Sequence, residues 1–331
     1  MSHKLSIILY SYNMGINDRL SNCMEMLLSQ TVGDYEILAI DDVSSDESEK
    51  ILKEYETKNP EKVKVFVNEE KIGRGGARNV GLKKADGEWV GFIDGRDEIP
   101  DDYYEKMIET AVKNDADAAG CALDMFSEGV DEMTRESAGE LDEEKRARLI
   151  INPGCMTTKV YKRSLFYDNG LWFTEENTWD EESISRLVMM YVKKYSFCEE
   201  VKYRRNTVEK WNSDTRLVFN CYERIDVMTY FIEECFKREF LEEYPEEIEE
   251  AYIERMYVDT LFEYMQGVKW FKRKPIFLKM LKSGIMECFP EFDTNPYYWE
   301  KYDDEVNSLI GKHINNPVKF MIGYKTPVSM K

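Results

Sequence analysis

Residues 89–97 read Trp-Val-Gly-Phe-Ile-Asp-Gly-Arg-Asp. The apolar residues of this stretch suit a strand inside a sheet, and Gly95 allows a sharp turn directly after it. The carboxylates of Asp94 and Asp97 are therefore predicted just past the carboxyl end of the strand, where open α/β sheets bind their ligands. Carboxylates there suit a divalent cation that bridges to phosphate, because hard cations prefer oxygen ligands. Arg96 stands among these acids, and its positive charge opposes such a cation.

Short apolar runs alternate with amphipathic helical patterns on both sides of this strand. Strands are predicted at residues 5–9, 35–40, 63–67 and 118–123, with helices between them. Ser44 and Glu47 match a capping box for the second helix. The glycine-rich residues 73–76 are predicted to form a loop. This alternation is typical of βαβ units and of a mostly parallel sheet in an α/β fold.

The character of the sequence changes after about residue 206. Long helical patterns run through residues 217–240, 248–271, 276–288 and 298–310. We therefore predict an α/β domain over residues 1–205 and a mainly α-helical C-terminal region over residues 206–331.

Composition excludes several classes of protein. The 331 residues carry a net charge of -20, which argues against a general nucleic-acid surface. Seven cysteines without C-x-x-C spacing fit reduced thiols in the cytoplasm. Only His3 and His313 are present, which disfavours a histidine-based triad or metal site. The sequence shows neither a signal peptide nor an apolar run of about 18 residues, so a cytoplasmic protein is expected. Residues 10–15, Tyr-Ser-Tyr-Asn-Met-Gly, stand where a dehydrogenase would carry G-x-G-x-x-G.

Four motifs in order resemble glycosyltransferase family 2, which has the GT-A fold. They are Tyr12-Asn13, the Asp-Asp-x-Ser-x-Asp of residues 41–46, the Gly-x-x-x-Ala-Arg-Asn-x-Gly of residues 73–81, and the strand end at Asp94. The resemblance covers roughly the first 200 residues. It implies an inverting enzyme that transfers a sugar from a nucleotide-diphosphate donor to an acceptor hydroxyl. The implied acceptor is a bacterial surface glycan or its lipid-linked precursor.

The resemblance also implies a donor site. Tyr12, beside Asn13, would stack on the base, and stacking on an aromatic ring contributes about 1–3 kcal/mol. Asp42 would accept the uracil imide N–H, which makes a UDP-sugar the expected donor. Gly73 and Arg78 would approach the phosphates or ribose. The plainer alternatives are a core tyrosine, a helix-capping aspartate and an arginine paired with surface acids.

The sequence leaves open whether the strand end binds a metal. Relatives commonly read Asp-x-Asp-Asp here, and Arg96 replaces their main ligand, so Mn²⁺ or Mg²⁺ could be held only through Asp94 and Asp97 or a neighbour. Arg96, after Gly95, could instead meet the diphosphate directly, or pair with Asp97 and close the site.

Inverting transfer needs a general base near the acceptor hydroxyl. By resemblance, residues 173–175 and 180–182 match the segment that carries it, and the register favours Glu182. Glu181 and Asp180 remain candidates, and clustered acids raise one another's pKa. The plainer interpretation is the acidic first turn of a helix.

Residues 269–275, Lys-Trp-Phe-Lys-Arg-Lys-Pro, are basic and aromatic in an acidic protein. They predict either a peripheral contact with the inner face of an anionic membrane or a helix end complemented by basic residues. Two alternatives to sugar transfer remain. One is a GT-A enzyme that hydrolyses the donor or transfers another group. The other is a catalytically impaired nucleotide-sugar-binding or scaffold protein.

Overall fold

The computed structural model describes residues 4–124, 134–206 and 214–325. The chain divides into two compact units, Met1–Val208 and Glu209–Lys331. The dividing point falls among residues outside the described part, so the predicted boundary after residue 205 stays a prediction. His3 also lies outside the described residues. Among the described helices, none is both long enough and apolar enough to cross a bilayer.

The first unit is built on one eight-stranded sheet with the order β3-β2-β1-β4-β7-β5-β8-β6. Its strands are β1 (Leu5–Ser11), β2 (Tyr35–Asp41), β3 (Val63–Val67), β4 (Trp89–Asp94), β5 (Ala118–Leu123), β6 (Gly139–Glu140), β7 (Lys159–Lys162) and β8 (Lys194–Tyr203). Strands β3, β2, β1 and β4 are parallel, whereas β7 lies antiparallel between β4 and β5. The predicted mostly parallel α/β sheet is confirmed.

Helices flank this sheet. They are α1 (Arg19–Leu28), α2 (Ser48–Lys58), α3 (Gly73–Lys84), α4 (Tyr103–Lys113), α5 (Glu143–Ile151), α6 (Ser164–Tyr167) and α7 (Glu181–Tyr191). Helix α1 buries Leu20, Cys23, Met24 and Leu27, the face that its apolar spacing predicts. The buried apolar faces of the helices and strands form the core that holds the strand ends in place.

The predicted capping box at the start of the second helix is wrong. Helix α2 begins at Ser48, and the Ser44 hydroxyl instead donates to Asp41 Oδ1 at 2.6 Å. Asp46 Oδ1 accepts the backbone N–H of Ser48 at 3.0 Å. The carboxylate that ends β2 is the stronger acceptor for Ser44, so the serine belongs to the turn and not to the helix.

The predicted glycine-rich loop is also wrong, because residues 73–76 form the first turn of α3. The Asp42 carboxylate accepts the N–H groups of Ile72 and Gly73 at 3.0 and 2.9 Å and so caps this helix. Gly75 is required for close approach, since a Cβ there would lie 2.0 Å from the carbonyl oxygen of Thr174. A contact across the fold therefore outweighs the low helix propensity of glycine.

The second unit is helical, as predicted. Its elements are α8 (Asp214–Lys237), α9 (Phe240–Glu243), α10 (Pro245–Tyr252), a π-helical turn (Ile253–Asp259), α11 (Thr260–Gly267), α12 (Pro275–Cys288), α13 (Pro296–Lys301), α14 (Asp304–Asn315) and α15 (Pro317–Gly323). His313 is a buried core residue here, between the Tyr257 hydroxyl at 2.8 Å and the Leu278 carbonyl at 3.0 Å. Burial lowers the pKa of His313 to about 4, so the ring is neutral at physiological pH.

Candidate active site

Three parallel strands of the first unit end at the same edge of the sheet. Ser11 of β1 is in register with Asp41 of β2, and Tyr10 of β1 is in register with Asp94 of β4. The turn after β4 is held by the Gly95 N–H, which donates to the Tyr10 carbonyl at 3.1 Å. The residues that follow these strands are therefore brought together, as the motif order predicts.

Tyr12 and Asn13 follow β1 and join two loops at this edge. Asn13 donates its N–H to Ser44 Oγ at 3.0 Å, and its Oδ1 accepts the Ser45 N–H at 2.8 Å. The Tyr12 side chain is half-buried, and the Lys71 ammonium lies 3.6 Å from the centre of its ring. Tyr12 is thus not a core residue, and Asn13 positions the loop that carries it.

Asp42 is fully buried and accepts three hydrogen bonds. Besides the two N–H groups at the start of α3, it accepts the Asn68 amide at 2.9 Å. The helix-capping alternative is therefore realised, although for α3 and not for α2. An ionised carboxylate offers about four acceptor sites, so one site remains beyond these three bonds.

Arg78 lies at the centre of a buried network of charges. Its Nη1 donates to Glu181 Oε1 at 2.7 Å and to Asp180 Oδ2 at 3.1 Å, and its Nη2 donates to Asp94 Oδ1 at 3.3 Å. The side chain has no exposed surface, so the alternative of a surface ion pair does not hold. Arg78 links the end of β4 to the start of α7.

Arg74 joins the same network one helical turn earlier. It donates to Asp180 Oδ1 from Nε at 2.9 Å and from Nη2 at 2.6 Å, and its Nη1 lies 3.5 Å from Asp94 Oδ2. Unlike Arg78, its side chain is 26% exposed. Residues four apart share a helix face, so the spacing from Arg78 was a signal for Arg74 that sequence reasoning missed.

Two further arginines, Arg96 and Arg205, belong to the same region. We call Arg74, Arg78, Arg96 and Arg205 the arginine cluster. Arg96 is 23% exposed, and its Nη2 lies 3.8 Å from Asp94 Oδ2. It therefore pairs with Asp94, and not with Asp97 as one sequence alternative held. Burial disfavours the charge of Arg205, but Cys155, Glu181 and Asp94 outweigh burial and hold its pKa above its usual value.

The cluster lowers the pKa of two neighbouring carboxylates, Asp94 and Glu181. Burial alone would raise the pKa of Asp94, but Arg74, Arg78 and Arg96 outweigh burial and hold it below its usual value. For Glu181, the charges of Arg78, Arg74 and Arg205 likewise overcome burial and lower the pKa. Burial instead raises the pKa of Asp180, against the charges of Arg74 and Arg78. This edge of the sheet therefore brings guanidinium groups and carboxylates to N–O distances of 2.6–4.0 Å.

The model of the glycosyl transferase family 2 matches residues 6–170. The chain belongs to glycosyltransferase family 2. A relative named "Uncharacterized glycosyltransferase YibD", from Escherichia coli, is 37% identical over 123 residues, which cover 37% of this chain and 35% of the relative. The poly(ribitol-phosphate) beta-glucosyltransferase of Bacillus spizizenii is 28% identical over 205 residues, which cover 60% of this chain and 32% of the relative. The chain spans about a third of the length of these two curated relatives.

Solved structures confirm the GT-A fold. Residues 1–349 of TarS from S. aureus superpose with a TM-score of 0.72 at 20% identity, over 97% of this chain and 91% of that one. TarS has also been crystallised with UDP and with UDP-GlcNAc. A mannosyltransferase from Pyrobaculum calidifontis, in complex with GDP-Man and Mn²⁺, gives a TM-score of 0.56 at 14% identity, over 89% and 83% of the two chains.

The predicted metal ligands of this family member do not fit a dication. The Asp94 carboxylate lies 3.3–3.8 Å from guanidinium nitrogens of Arg74, Arg78 and Arg96, whose positive charges oppose a cation. Asp97 is buried, and its two oxygens accept hydrogen bonds from the Tyr203 hydroxyl at 2.7 Å and the Asn206 N–H at 3.0 Å. Burial and the neighbouring Asp94 raise the pKa of Asp97 to about 6. Over residues 4–124, 134–206 and 214–325, no group of three or more His, Cys, Asp or Glu is arranged to hold a metal.

The three candidate bases lie at the start of α7. Asp180 and Glu181 bond to the arginine cluster, and Glu181 Oε2 also accepts the Met156 N–H at 3.3 Å. Glu182 Oε2 instead accepts a hydrogen bond from Arg186 Nη1 at 3.0 Å, within the same helix. The acidic first turn predicted as the plainer interpretation is present, and it stabilises the helix end whichever acid serves as base.

Sequence reasoning also missed Arg205, and no local pattern could have revealed it. It follows β8, and its position beside Asp94 and Glu181 comes from the sheet order, which places β8 two strands away from β7. Its Nη2 also lies 3.4 Å from Thr157 Oγ1. Arg205 lies more than a hundred residues after Asp94 in the chain, so the sequence alone does not show that the two are neighbours.

Proposed function

We propose that this family 2 protein transfers a sugar from a UDP-sugar to an acceptor hydroxyl, with inversion at the anomeric carbon. The observation that carries the proposal is the convergence of Arg74, Arg78 and Arg96 on Asp94, at the strand edge where α/β sheets bind ligands. Fixed positive charge at that edge suits a diphosphate. The crystal structures of TarS with UDP and UDP-GlcNAc support the same class of donor.

In this proposal the two partly exposed arginines, Arg74 and Arg96, bind the diphosphate. Arg74 and Arg96 each keep about a quarter of their side chain accessible, whereas Arg78 is enclosed. The planar guanidinium pairs with oxyanions through parallel N–H bonds, and its charge does not depend on pH. Such donors stabilise the negative charge that develops on the leaving diphosphate. Arg78 is a positioning residue in this proposal, because its hydrogen bonds hold Asp94, Asp180 and Glu181 in place.

The nucleobase would lie between the loops after β1 and β2. Tyr12 supplies an aromatic face there, and Asn13 fixes its loop through Ser44 and Ser45. Asp42 has one acceptor site left for a uracil imide N–H, and its contacts with Ile72 and Gly73 hold it in position. This arrangement supports uracil recognition by an acceptor-only group.

Glu182 is proposed as the general base that takes the proton of the acceptor hydroxyl, with Glu181 and Asp180 as the remaining candidates. Glu181 is the weaker base while Arg78 holds it, because a lowered pKa reduces its affinity for a proton. Glu182 pairs with Arg186 of its own helix at 3.0 Å. The acceptor is proposed to be a surface glycan or lipid-linked precursor handled in the cytoplasm, a class consistent with the name of the poly(ribitol-phosphate) relative.

Calorimetric titration of the full chain with UDP, GDP and CDP, with EDTA or with Mn²⁺, tests the donor assignment. We expect UDP to bind most tightly, and to bind in EDTA. The Arg74→Ala variant should weaken UDP binding roughly tenfold or more, since a hydrogen bond to a charged group contributes about 1.5–3 kcal/mol. Equal affinity for all three nucleotides would refute the uracil assignment, and binding only with Mn²⁺ would refute the role given to the arginines.

The base is tested separately with a UDP-sugar and a glycan acceptor. Glu182→Gln should abolish transfer and leave UDP binding intact. Glu143→Gln, the same change in an exposed glutamate at the start of α5, is the matched control and should change neither. Normal transfer by Glu182→Gln would move the role to Glu181 or Asp180. Tight UDP binding without any transfer by the wild type would instead favour a nucleotide-sugar-binding or scaffold function.

A further inference from the structure

The second unit exposes large apolar side chains on the turn between α11 and α12. Trp270 is 77% exposed, Phe271 is 64% exposed and Ile276, in the first turn of α12, is 69% exposed. The rings of Trp270 and Phe271 pack edge to face with their centres 5.9 Å apart. Adjacent exposed apolar residues of this size mark interaction sites, whereas single ones are ordinary.

The same segment is basic without any acidic residue. No Asp or Glu occurs from residue 268 to residue 286, in a chain whose net charge is -20. Within this segment four lysines are exposed: Lys269, Lys272, Lys274 and Lys279. With Trp270, Phe271 and Ile276 they form what we call the lysine–aromatic surface.

Helix α15, which packs against α12, extends this character. Residues 306–325 also contain no Asp or Glu and carry Lys312, Lys319 and Lys325. Ile322 is exposed on α15. Tyr324, two residues later, lies under the Arg273 guanidinium at 5.6 Å, which ties this helix end to the lysine–aromatic surface.

Arg273 accounts for the helix-end alternative. It donates from Nε to the Val268 carbonyl at 3.0 Å and from Nη2 to the Met265 carbonyl, so it complements the last carbonyls of α11. The helix-end interpretation is thus confirmed for Arg273, and the membrane interpretation stays a prediction. Arg273 ends the helix, and the aromatic rings and lysines beside it extend into solvent.

We infer that the lysine–aromatic surface docks on an anionic phospholipid bilayer. Tryptophan and phenylalanine insert at the headgroup level, and lysines next to them are attracted to anionic lipid, each contributing a factor of about five to binding. Exposed cations without intervening acids complement such a membrane, and the rest of this acidic chain would be repelled by it. The contact is peripheral, because the apolar segment is a turn and one helix end. It does not depend on the donor assignment.

Co-sedimentation with vesicles tests this inference. The full chain should bind vesicles of phosphatidylglycerol and phosphatidylcholine, bind phosphatidylcholine alone weakly, and detach as salt is raised. The variant Lys269→Glu/Lys272→Glu/Lys274→Glu should bind on the order of a hundredfold more weakly. The matched control is Lys4→Glu/Lys113→Glu/Lys193→Glu, which changes the net charge equally at exposed lysines of the first unit. We expect this control to retain most of the binding.

The aromatic residues are tested by Trp270→Ala/Phe271→Ala, which should also release the protein from vesicles. The matched control is Phe236→Ala, since Phe236 is 73% exposed on α8. Leu217 of α8 packs on Gly267 beside the surface, and Phe236 lies nineteen residues further along the helix, about 28 Å away. Phe236→Ala should bind like the wild type.

Three results would overturn the inference: equal binding to neutral and anionic vesicles, equal loss in the surface and control variants, or no binding by the wild type. Sedimentation velocity identifies the competing occupant. If Trp270→Ala/Phe271→Ala turns a dimer into a monomer without changing vesicle binding, the surface joins two copies of the chain. UDP affinity should be the same in all these variants, so failure here is separable from failure of the proposed donor.

Discussion

Two groups of cations in this protein have opposite surroundings. The arginine cluster of the first unit is buried or half-buried, and carboxylates contact it at 2.6–4.0 Å. The lysines of the lysine–aromatic surface in the second unit are exposed, in a segment without acids. Arginine presents a rigid fork that suits a small anion of fixed geometry, whereas lysine is a flexible point charge. In the functions proposed above, the same sign of charge therefore serves a defined anion pocket in one region and a diffuse anionic surface in the other.

The largest expected effect is the loss of folding stability when the buried arginine cluster is disrupted. Arg78→Ala should lower the free energy of unfolding by about 3–5 kcal/mol, because Asp94, Asp180 and Glu181 would be left buried without this partner. Urea denaturation followed by circular dichroism measures the change. Lys272→Ala is the control from the exposed group and should change stability by about 0.5 kcal/mol or less. Similar losses in the two variants would remove the distinction between the groups.

The next largest expected effect is a pH dependence of the free energy of unfolding. It comes from Asp97 in the first unit and not from the lysine–aromatic surface. The pKa of Asp97 is raised to about 6, above the ordinary value of 3.8. Its stabilising contribution is therefore complete below pH 4 and is lost as pH rises through 6. Relative to Asp97→Asn, the wild type should lose about 2–3 kcal/mol over that interval.

Denaturation of both proteins at several pH values measures this difference. A constant difference between pH 4 and pH 7 would show that Asp97 titrates normally. Vesicle binding by the lysine–aromatic surface does not involve Asp97, so Asp97→Asn should leave it unchanged at every pH.

A smaller effect tests geometry against charge in the arginine cluster. Arg74→Lys keeps the positive charge but loses the planar fork that bonds to Asp180 through two nitrogens. We expect UDP to bind roughly tenfold more weakly, with less effect on stability than Arg78→Ala has. Calorimetric titration is the measurement. Wild-type affinity in Arg74→Lys would mean that charge alone suffices at this site.

The smallest expected effect is the converse exchange in the other group. Lys269→Arg/Lys272→Arg/Lys274→Arg keeps every charge of the surface, so binding to anionic vesicles should stay within about twofold of the wild type. Co-sedimentation at fixed salt measures it. A large loss would show that the lysines make specific contacts, and would make the two groups more alike than their surroundings suggest.

Periodicity and motif order predicted the frame of the protein. The strands β1, β2, β3 and β4, the buried face of α1 and the helical C-terminal region follow from apolar spacing, which depends on local geometry. The meeting of Tyr12, Asp42 and Asp94 at one edge follows from parallel strands, since their carboxyl ends lie together. Which of the acids at the start of α7 is the base stays a prediction.

Contacts between distant residues decided the rest. Asp42 caps α3 thirty positions later, and that bond makes a helix from residues whose glycines predict a loop. The antiparallel β7 and the position of β8 bring Arg205 beside Asp94, which no spacing indicates.

Burial likewise could not be predicted from residue type. Arg78 and Lys274 are both cations within short basic motifs, but one is enclosed by carboxylates and the other is exposed to solvent. The sequence by itself determined which elements form and which motifs follow the strands, because propensity and periodicity act locally. Only the tertiary structure decided which charges lose water and which partners they find, because desolvation depends on everything that packs around a side chain.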